Sequence, residues 1–540
     1  SGRGEKQALV FEGDRWDPSK NDGRGGPVFE QRLSYRELLV EVALRARVLK
    51  SLDLSTGDRI ALNLPNILDQ IFYILAAQRL GVIYTPVFGG FSAKTLSDRI
   101  HDAGAKVVIT ADGGYRNAEV VPYKSTYTDP ALDNYVPRPA ALQALSETLK
   151  SRLPADVAER LETQVTEAVA GEITLERADV MRELGLALER ERGTAPEIIA
   201  ELRTTVASEL AGVSHAVTNV IVVRYTGNDI VEHSRDRWSH NLVYEAEASF
   251  LADAGVADRG SLDSLDDNAF WKAVGSSIPA VPIKADWPLF IIYTSGSTGK
   301  PKGVVHTHGG WLSGITHTMR TVFNANQDDC LYVIGDPGWI TGQSYLIAAP
   351  LAFGMSTVIA EGSPLFPHAG RFASIIERNQ VTLFKAGSTF LKAVMTDPAS
   401  AQEMSRYDMS TLKVGTFCAE PVSPAVQKFA MENICSHYIN SYWATEHGGI
   451  VFSCPWGDFK PLEADAKTWP LPWIQAQVRI VEQTSDTGSV SQWREAEAGE
   501  KGELVITQPY PYLARTLWGA GDALGTADWQ GYIDRFAEVY

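Results

Sequence analysis

The chain has 540 residues, 44% of them hydrophobic and 21% charged, which allows more than one structural unit and excludes a disordered or fibrous protein. A formal net charge of −17 argues against nucleic acid as the main partner, because a phosphate backbone calls for a basic surface. Four cysteines (Cys330, Cys418, Cys435 and Cys454) lack C-x-x-C spacing and suit a reducing, cytoplasmic setting better than a disulfide scaffold.

Residues 34–120 alternate helical and strand-like patterns. Ser34-Tyr-Arg-Glu37 has capping-box spacing ahead of an apolar-periodic helix carrying Leu38, Leu39, Val42, Ala43 and Leu44. Residues 59–63 and 106–110 read as short buried strands, and the alternation predicts a parallel α/β sheet. Residues 133–212 stand apart as helices. Leu153, Val157, Leu161 and Val165 form one stripe, and Ile198, Ile199, Leu202, Val206 and Leu210 form another. Pro154 and Pro196 occupy first-turn positions. A solvated helical insertion with its own small core is the expectation, with a docking element for another domain as the sharper alternative.

The α/β pattern returns from residue 288 to about 440, with strands expected at 331–334, 355–359, 381–385 and 412–417. The longest apolar region, residues 344–360, is broken by Pro350 and Gly354, so no membrane span is expected. Beyond residue 474 the character changes, and 478–482 and 502–507 suggest antiparallel, barrel-like strands. The organisation expected is therefore 1–132, the 133–212 insertion, 213–473 carrying the ligand site, and a barrel-like 474–540.

The most informative segment is Tyr293-Thr-Ser-Gly-Ser-Thr-Gly-Lys-Pro-Lys-Gly303, with three glycines, four hydroxyls and two lysines after an apolar strand. Glycines let backbone N–H groups crowd an anion, while hydroxyls add donors and lysines add charge, so the ligand expected is a polyphosphate. Such clusters are often plain turns, but two lysines split by a proline are hard to explain as an idle one. A Walker A loop is excluded. That pattern needs Ser or Thr after Gly-Lys and an earlier glycine, whereas Lys300 precedes Pro301 and the earlier position is Thr294.

Three downstream segments extend the pattern. Gly335-Asp-Pro-Gly-Trp-Ile-Thr-Gly-Gln-Ser-Tyr345 is a glycine-punctuated loop, and Cys418-Ala-Glu-Pro421 follows a strand. Tyr438-Ile-Asn-Ser-Tyr-Trp-Ala-Thr-Glu-His-Gly-Gly449 offers aromatics, donors and a carboxylate able to hold Mg²⁺.

With these motifs in this order the chain resembles the AMP-forming acyl-CoA synthetases of the adenylate-forming superfamily, and is similar to the acetyl-CoA/propionyl-CoA synthetase branch. Val87-Phe-Gly-Gly-Phe-Ser92, residues 338–345 and Ala514-Arg-Thr-Leu-Trp-Gly519 carry the likeness to that branch. The resemblance implies an α/β fold. It would be the large N-terminal domain of that superfamily, with two parallel-rich sheets flanked by helices and a small distorted β-barrel. It also implies ATP, Mg²⁺ and coenzyme A as ligands.

Residue by residue, the resemblance implies that Thr294, Ser295, Gly296, Ser297, Thr298, Gly299, Lys300 and Lys302 enclose the β- and γ-phosphates. Ala419, Glu420, Pro421, Asn440, Ser441 and Tyr442 would surround adenine, with Trp443 and Ala444 beside them. Thr445 would bind the α-phosphate and Glu446 would coordinate Mg²⁺, so Thr294, Lys302, Thr445 and Glu446 are the expected catalytic set. Arg116 and Thr341 match positions for CoA or acyl contacts. Ile340, Thr341, Cys418 and Trp443 would line an acyl pocket. Trp443 stands where long-chain relatives carry glycine, which restricts the acid to roughly two to four carbons unless the indole merely packs the core.

The chain also departs from the family pattern. Ala419 replaces a usual glycine, Ala444 a usual glutamine, and Glu119 a usual arginine of the CoA site. Gly521-Asp522 follows too soon to be the family's ribose-binding motif, and the lysine-bearing C-terminal lid is expected to be absent from these residues. The resemblance then implies one module of a multifunctional enzyme of the propionyl-CoA synthase kind, with further domains of the same polypeptide as partners and room for a homo-oligomer. Acetate, propionate and 3-hydroxypropionate are the candidate acids. The alternatives are a nucleotide-binding, non-catalytic relative and an adenylate-forming ligase for another acid class.

Overall fold

The structure is a computed structural model that describes residues 3–191, 195–213, 215–295, 301–454, 462–484 and 490–519. Two large sheets dominate it. In the first, the strands Tyr438–Tyr442, Val414–Cys418, Leu383–Gly387, Cys330–Val333, Ser356–Ala360 and Gln7–Glu12 run parallel in that spatial order. Antiparallel strands Phe452–Ser453 and Glu30–Ser34 flank that parallel run. The second sheet orders Asp236–Trp238, Asn219–Val223, Val107–Ala111, Arg59–Asn63, Ile83–Pro86 and Pro288–Ser295 in parallel, then adds Pro301–Thr307 and Thr516–Leu517 antiparallel. This is the parallel-rich α/β architecture expected from the alternating pattern.

The two sheets share one core. Leu9, Phe11, Leu331 and Leu383 of the first and Ile60, Leu62, Val107 and Phe290 of the second belong to the same apolar cluster, filled by helices Tyr35–Ser51 and Leu68–Leu80. The first of these helices starts as its sequence prescribes. Ser34 accepts from the Glu37 N–H and Glu37 accepts from the Ser34 N–H at 2.7 Å, a complete capping box. Its Leu44, Val48 and Leu49 have no exposed surface, and each such burial contributes about 1.5–3 kcal/mol.

Strand positions differ from the sequence reading by one or two residues. The strand expected at 106–110 is Val107–Ala111, and those at 331–334, 355–359, 381–385 and 412–417 are Cys330–Val333, Ser356–Ala360, Leu383–Gly387 and Val414–Cys418. Strand ends are set by pairing partners, which a single strand's pattern does not carry. The apolar stretch at 344–360 is a helical segment ended by Gly354 in the left-handed region, followed by a strand. Among the described residues no helix is long and apolar enough to cross a membrane.

Within residues 133–212, helices Arg138–Arg152, Ala155–Ala168, Arg177–Arg190 and Pro196–Gly212 enclose a cluster separate from the sheet cores. Leu161, Val165, Leu202, Val206 and Leu210 lie inside it, but Ile198 is 40% exposed and leaves its expected stripe. Ile198 sits in the first turn, one position before the inward-facing Ile199, so it turns to solvent. Beyond residue 474 the described strands Ala476–Thr484, Val490–Glu495 and Glu503–Ile506 form a three-stranded antiparallel sheet.

Candidate functional site

The described residues of the 293–303 segment lie on two paired strands. Pro288–Ser295 pairs antiparallel with Pro301–Thr307, and Thr294 stands opposite Lys302. Gly296, Ser297, Thr298, Gly299 and Lys300 lie outside the described residues, as does the Ser295 side chain. Gly303 is required where it is, because a Cβ there would meet Ile291 and Trp518 at 2.9 Å. The 514–519 motif explains that crowding. The Arg515 N–H donates to the Val305 carbonyl at 2.9 Å and the Trp518 N–H to the Gly303 carbonyl at 2.7 Å, bracing the hairpin from its open side.

The remaining nucleotide candidates gather at the C-terminal ends of two adjacent parallel strands, where open α/β sheets present ligand sites. Ala419, Glu420 and Pro421 leave Val414–Cys418 and are exposed. Ala419 has φ +82°, in the left-handed region that favours glycine. Asn440 donates to the Ala466 carbonyl at 2.9 Å, Glu420 pairs with Lys392, and Tyr442 keeps 44% of its surface exposed beside them. The Ser441 hydroxyl points the other way: it is fully buried and donates to the Phe417 carbonyl at 2.7 Å.

After Tyr442 the chain turns through Trp443, Ala444, Thr445 and Glu446. His306, two strand positions past Val304 on the phosphate hairpin, holds this turn. Its Nε2 lies 2.9 Å from the Thr445 carbonyl, and a carbonyl only accepts, so Nε2 carries the proton. Burial pushes the His306 imidazole down to about 4, keeping it neutral. Gly448 follows at φ +74°, its carbonyl accepting from Trp311 Nε1 and Ser344 Oγ, and a Cβ there would collide with the Tyr512 carbonyl at 2.2 Å. Lys302 is buried. Desolvation lowers its pKa, and the Glu446 carboxylate nearby raises it. Hairpin and turn thus bring Thr294, Lys302, Thr445 and Glu446 into one region.

Ile340 and Trp443 are buried and Thr341 is half-buried, and Cys418 lies inside at the strand end. The Trp443 indole meets Tyr345 edge to face, with centroids 5.2 Å apart.

Arg116 does not join the nucleotide residues. It lies on the hairpin Gly114–Arg116/Glu119–Val121, directly opposite Glu119 across a turn whose Asn117 and Ala118 both have positive φ. That hairpin walls a cavity of about 280 Å³ shared with Phe88, Gly89, Tyr123 and Asp336. Gly338 packs on Phe88 so closely that a Cβ would lie 2.4 Å from its backbone. Asp336 faces this cavity, and crowding by protein atoms pushes its carboxyl up to about 6 while Arg116 pulls it down. Glu361 anchors the hairpin, accepting from the Tyr115 N–H at 2.7 Å, the Tyr225 hydroxyl at 2.6 Å and the Asp14 N–H at 3.2 Å. A larger cleft, about 690 Å³ between Glu5, Arg36, Glu41 and Arg259, is lined by none of the candidate ligand-site residues, and Arg36 and Arg259 pair there with Glu5 and Glu41.

Sequence reasoning missed His306, Asp336, Glu361 and Lys385. For Lys385 a signal existed: a lysine inside the otherwise apolar strand Leu383–Gly387. For His306 and Glu361 none did, because their partners lie far away in sequence.

The chain is similar to known proteins over nearly its whole length. The family described as AMP-binding enzyme matches residues 4–197 and 198–518. Acetyl-coenzyme A synthetase of Cupriavidus metallidurans is 30% identical over 525 residues, covering 96% of this chain and 60% of the relative. That of Rubrobacter xylanophilus is 29% identical, covering 99% and 63%, and that of Xanthomonas axonopodis pv. citri 28%, covering 100% and 63%. The chain therefore spans about three fifths of the length of the curated relatives it matches.

Proposed function

The chain belongs to the AMP-binding enzyme family, and from that membership we propose that it is the adenylating part of an acid–thiol ligase for short-chain carboxylic acids. The observation that carries the proposal is the convergence of the phosphate hairpin, through Lys302 and His306, on the Thr445–Glu446 turn.

In the first half-reaction a carboxylate oxygen attacks the α-phosphorus of ATP. The bond to the β-phosphate bridge breaks, and pyrophosphate leaves an acyl-adenylate behind. The barrier is largely electrostatic, since an anion must approach a polyanion. Lys302 and the Thr294 and Thr445 hydroxyls supply positive charge and donors there, while His306 fixes the direction of the turn. The half-buried Glu446 carboxylate suits a Mg²⁺ that takes most of its ligands from phosphate oxygens and water. Such an ion would neutralise charge on the phosphates. Ala419, Glu420, Pro421, Asn440 and Tyr442 would border adenine.

In the second half-reaction a CoA thiol gives up its proton, attacks the acyl carbonyl and expels AMP. The cavity beside Arg116 is assigned to CoA, with Glu119 opposite Arg116 subtracting from its positive charge. Ile340, Thr341, Cys418 and Trp443 are assigned to the acyl group, with the indole as the wall that limits chain length. Acetate, propionate and 3-hydroxypropionate are the candidate acids, and further domains of a longer polypeptide are the proposed partners. We divide the chain functionally into residues 1–132 and 213–473, the 133–212 insertion and the segment from 474.

Acid-dependent exchange between ATP and pyrophosphate, measured on the full-length native protein with short acids, tests the reading. Exchange with two- to four-carbon acids is expected. ATP binding without exchange for any acid would instead support a nucleotide-binding, non-catalytic protein, and exchange confined to aromatic or amino acids would move the chain to another ligase class.

A further inference from the structure

Two compartments of the proposed site meet at the segment 335–342. Gly335 and Asp336 line the cavity of about 280 Å³ beside Arg116, and Ile340 and Thr341, assigned to the acyl group, follow directly. The segment is folded back on itself. A Cβ on Gly335 would lie 3.6 Å from Thr341 Cγ2, and one on Gly342 would lie 2.2 Å from the Asp336 carbonyl oxygen. It is also held stiffly. The Trp339 N–H donates to the Asp336 carbonyl at 2.9 Å, and Gln343, fixed by the Tyr84 hydroxyl at 2.8 Å, donates to the Pro337 carbonyl. A thiol that comes from the cavity to an acyl group must pass this segment.

Asp336 is the carboxylate at that passage, and it is half-buried rather than sealed in. Its Oδ1 accepts from the Gly338 N–H at 2.7 Å, and no other hydrogen bond reaches its carboxylate among the described residues. Three donors occupy the cavity's other carboxylate, Glu361. The remaining charged or titratable groups facing the cavity are Arg116, Tyr115, Tyr123, Tyr127 and Tyr332. Burial raises the Tyr123 and Tyr332 hydroxyls, which keeps them neutral. An arginine does not give up its proton. Asp336 is thus the ionised group with acceptor capacity left over.

Burial pushes the Asp336 carboxyl up to about 6, with the Gly338 N–H and Arg116 pulling the other way. It is therefore ionised at pH 7 and a stronger base than an ordinary carboxylate. An aliphatic thiol is mostly protonated at that pH and attacks only as it loses its proton.

We propose that Asp336 is the general base of the second half-reaction, taking the proton from the CoA thiol as sulfur attacks the acyl carbonyl. The assignment rests on the adenylation reading and on CoA in this cavity. The carbon–sulfur bond forms, the carbon–oxygen bond to the adenylate phosphate breaks, and AMP leaves with that electron pair. The proton ends on Asp336 and passes to water in the cavity before the next turnover. A positioned base of this kind contributes about 10²–10⁴-fold.

The test compares the full-length native protein with Asp336→Asn, using a short acid that supports exchange. Two rates are followed across pH: pyrophosphate exchange without CoA, and thioester formation with CoA in excess. In the native protein thioester formation, divided by exchange, should fall as pH drops through about 6, where Asp336 takes up a proton. Asp336→Asn keeps an acceptor for the Gly338 N–H, so the segment should fold as before. It should lower thioester formation by roughly hundredfold and abolish that pH dependence, with exchange and the KM for CoA unmoved. An unchanged rate would overturn the assignment. A raised KM for CoA at unchanged kcat would make Asp336 a binding group, and a parallel loss of exchange would make it structural; either overturns the assignment too. Should the variant not fold, the native profile decides: intact exchange with no fall in thioester formation near pH 6 overturns the assignment alone. Absence of exchange with every acid while ATP still binds would overturn the adenylation reading and this assignment with it.

Discussion

His306 Nε2 lies 2.9 Å from the carbonyl oxygen of Thr445, joining the strand Pro301–Thr307 to the turn that carries Glu446. The imidazole is held from its other sides by Phe290, 5.1 Å away centroid to centroid, and by Trp311 at 6.3 Å. His306→Phe fills a similar volume but cannot donate to Thr445. A neutral hydrogen bond is worth about 1 kcal/mol, so the exchange rate should fall by about fivefold while the fold is retained. Steady-state exchange kinetics check this, and a variant as fast as the native protein would mean the turn is positioned by something else.

The same imidazole makes stability depend on pH. Its folded-state pKa is about 4, below the ordinary value of about 6.5, so between those values the unfolded chain binds the extra proton. Stability is therefore flat above pH 6.5 and declines as pH falls towards 4. The share of His306 at pH 5 is roughly 2 kcal/mol. Denaturant midpoints at pH 7 and pH 5 should differ less in His306→Phe than in the native protein; equal differences would remove His306 from the acid sensitivity.

Ala419 carries a Cβ at φ +82°, where L side chains are strained. Its surface is exposed, so no cavity effect competes. Ala419→Gly should stabilise the protein by about 0.5–1 kcal/mol after the added chain entropy of glycine is counted. Ala419→Val should destabilise it. A drop in denaturant midpoint for the glycine variant would contradict the strain.

Trp443→Gly removes an indole that is 9% exposed and packed edge to face on Tyr345. The expected cost is about 3–5 kcal/mol of stability. Selectivity should move towards acids longer than four carbons by about tenfold, since one methylene is worth roughly 1–3 kcal/mol in an apolar pocket. Unchanged chain-length preference in a folded variant would refute the wall.

Glu361→Gln separates the two half-reactions. One oxygen of Glu361 serves the Asp14 N–H and the Tyr225 hydroxyl, and the other serves the Tyr115 N–H next to Arg116. An amide keeps the first set and turns its NH₂ towards the Tyr115 N–H, loosening the hairpin. The KM for CoA should rise by about tenfold, the loss of one hydrogen bond to a charged group, while pyrophosphate exchange is unaffected. A parallel loss in exchange would show that the hairpin serves adenylation as well.

Much of this was legible in the sequence because it is local. The capping box at Ser34 and Glu37 needs four residues, the strands announce themselves by short apolar runs, and the 293–303 segment displays its donors and charges in eleven. Even the strain at Ala419 had a trace, as an alanine where the family resemblance implies glycine. Strand ends slipped by one or two residues, and Ile198 faced solvent, because pairing and packing partners decide those details.

The sequence by itself determined the alternation of helix and strand, the concentration of glycines, hydroxyls and lysines in one segment and the family the motifs resemble. Each follows from backbone periodicity or from side-chain types close together along the chain. Only the tertiary structure decided that His306 meets Thr445 across 139 residues, that Glu361 braces the hairpin of Arg116 across 246 residues from Tyr115, and that the Lys385 amine lies 5.5 Å from the Trp443 ring centroid. Those contacts depend on the order of strands in two sheets. That order is set by which buried faces pack together, a property of the whole chain that no local run of residues encodes.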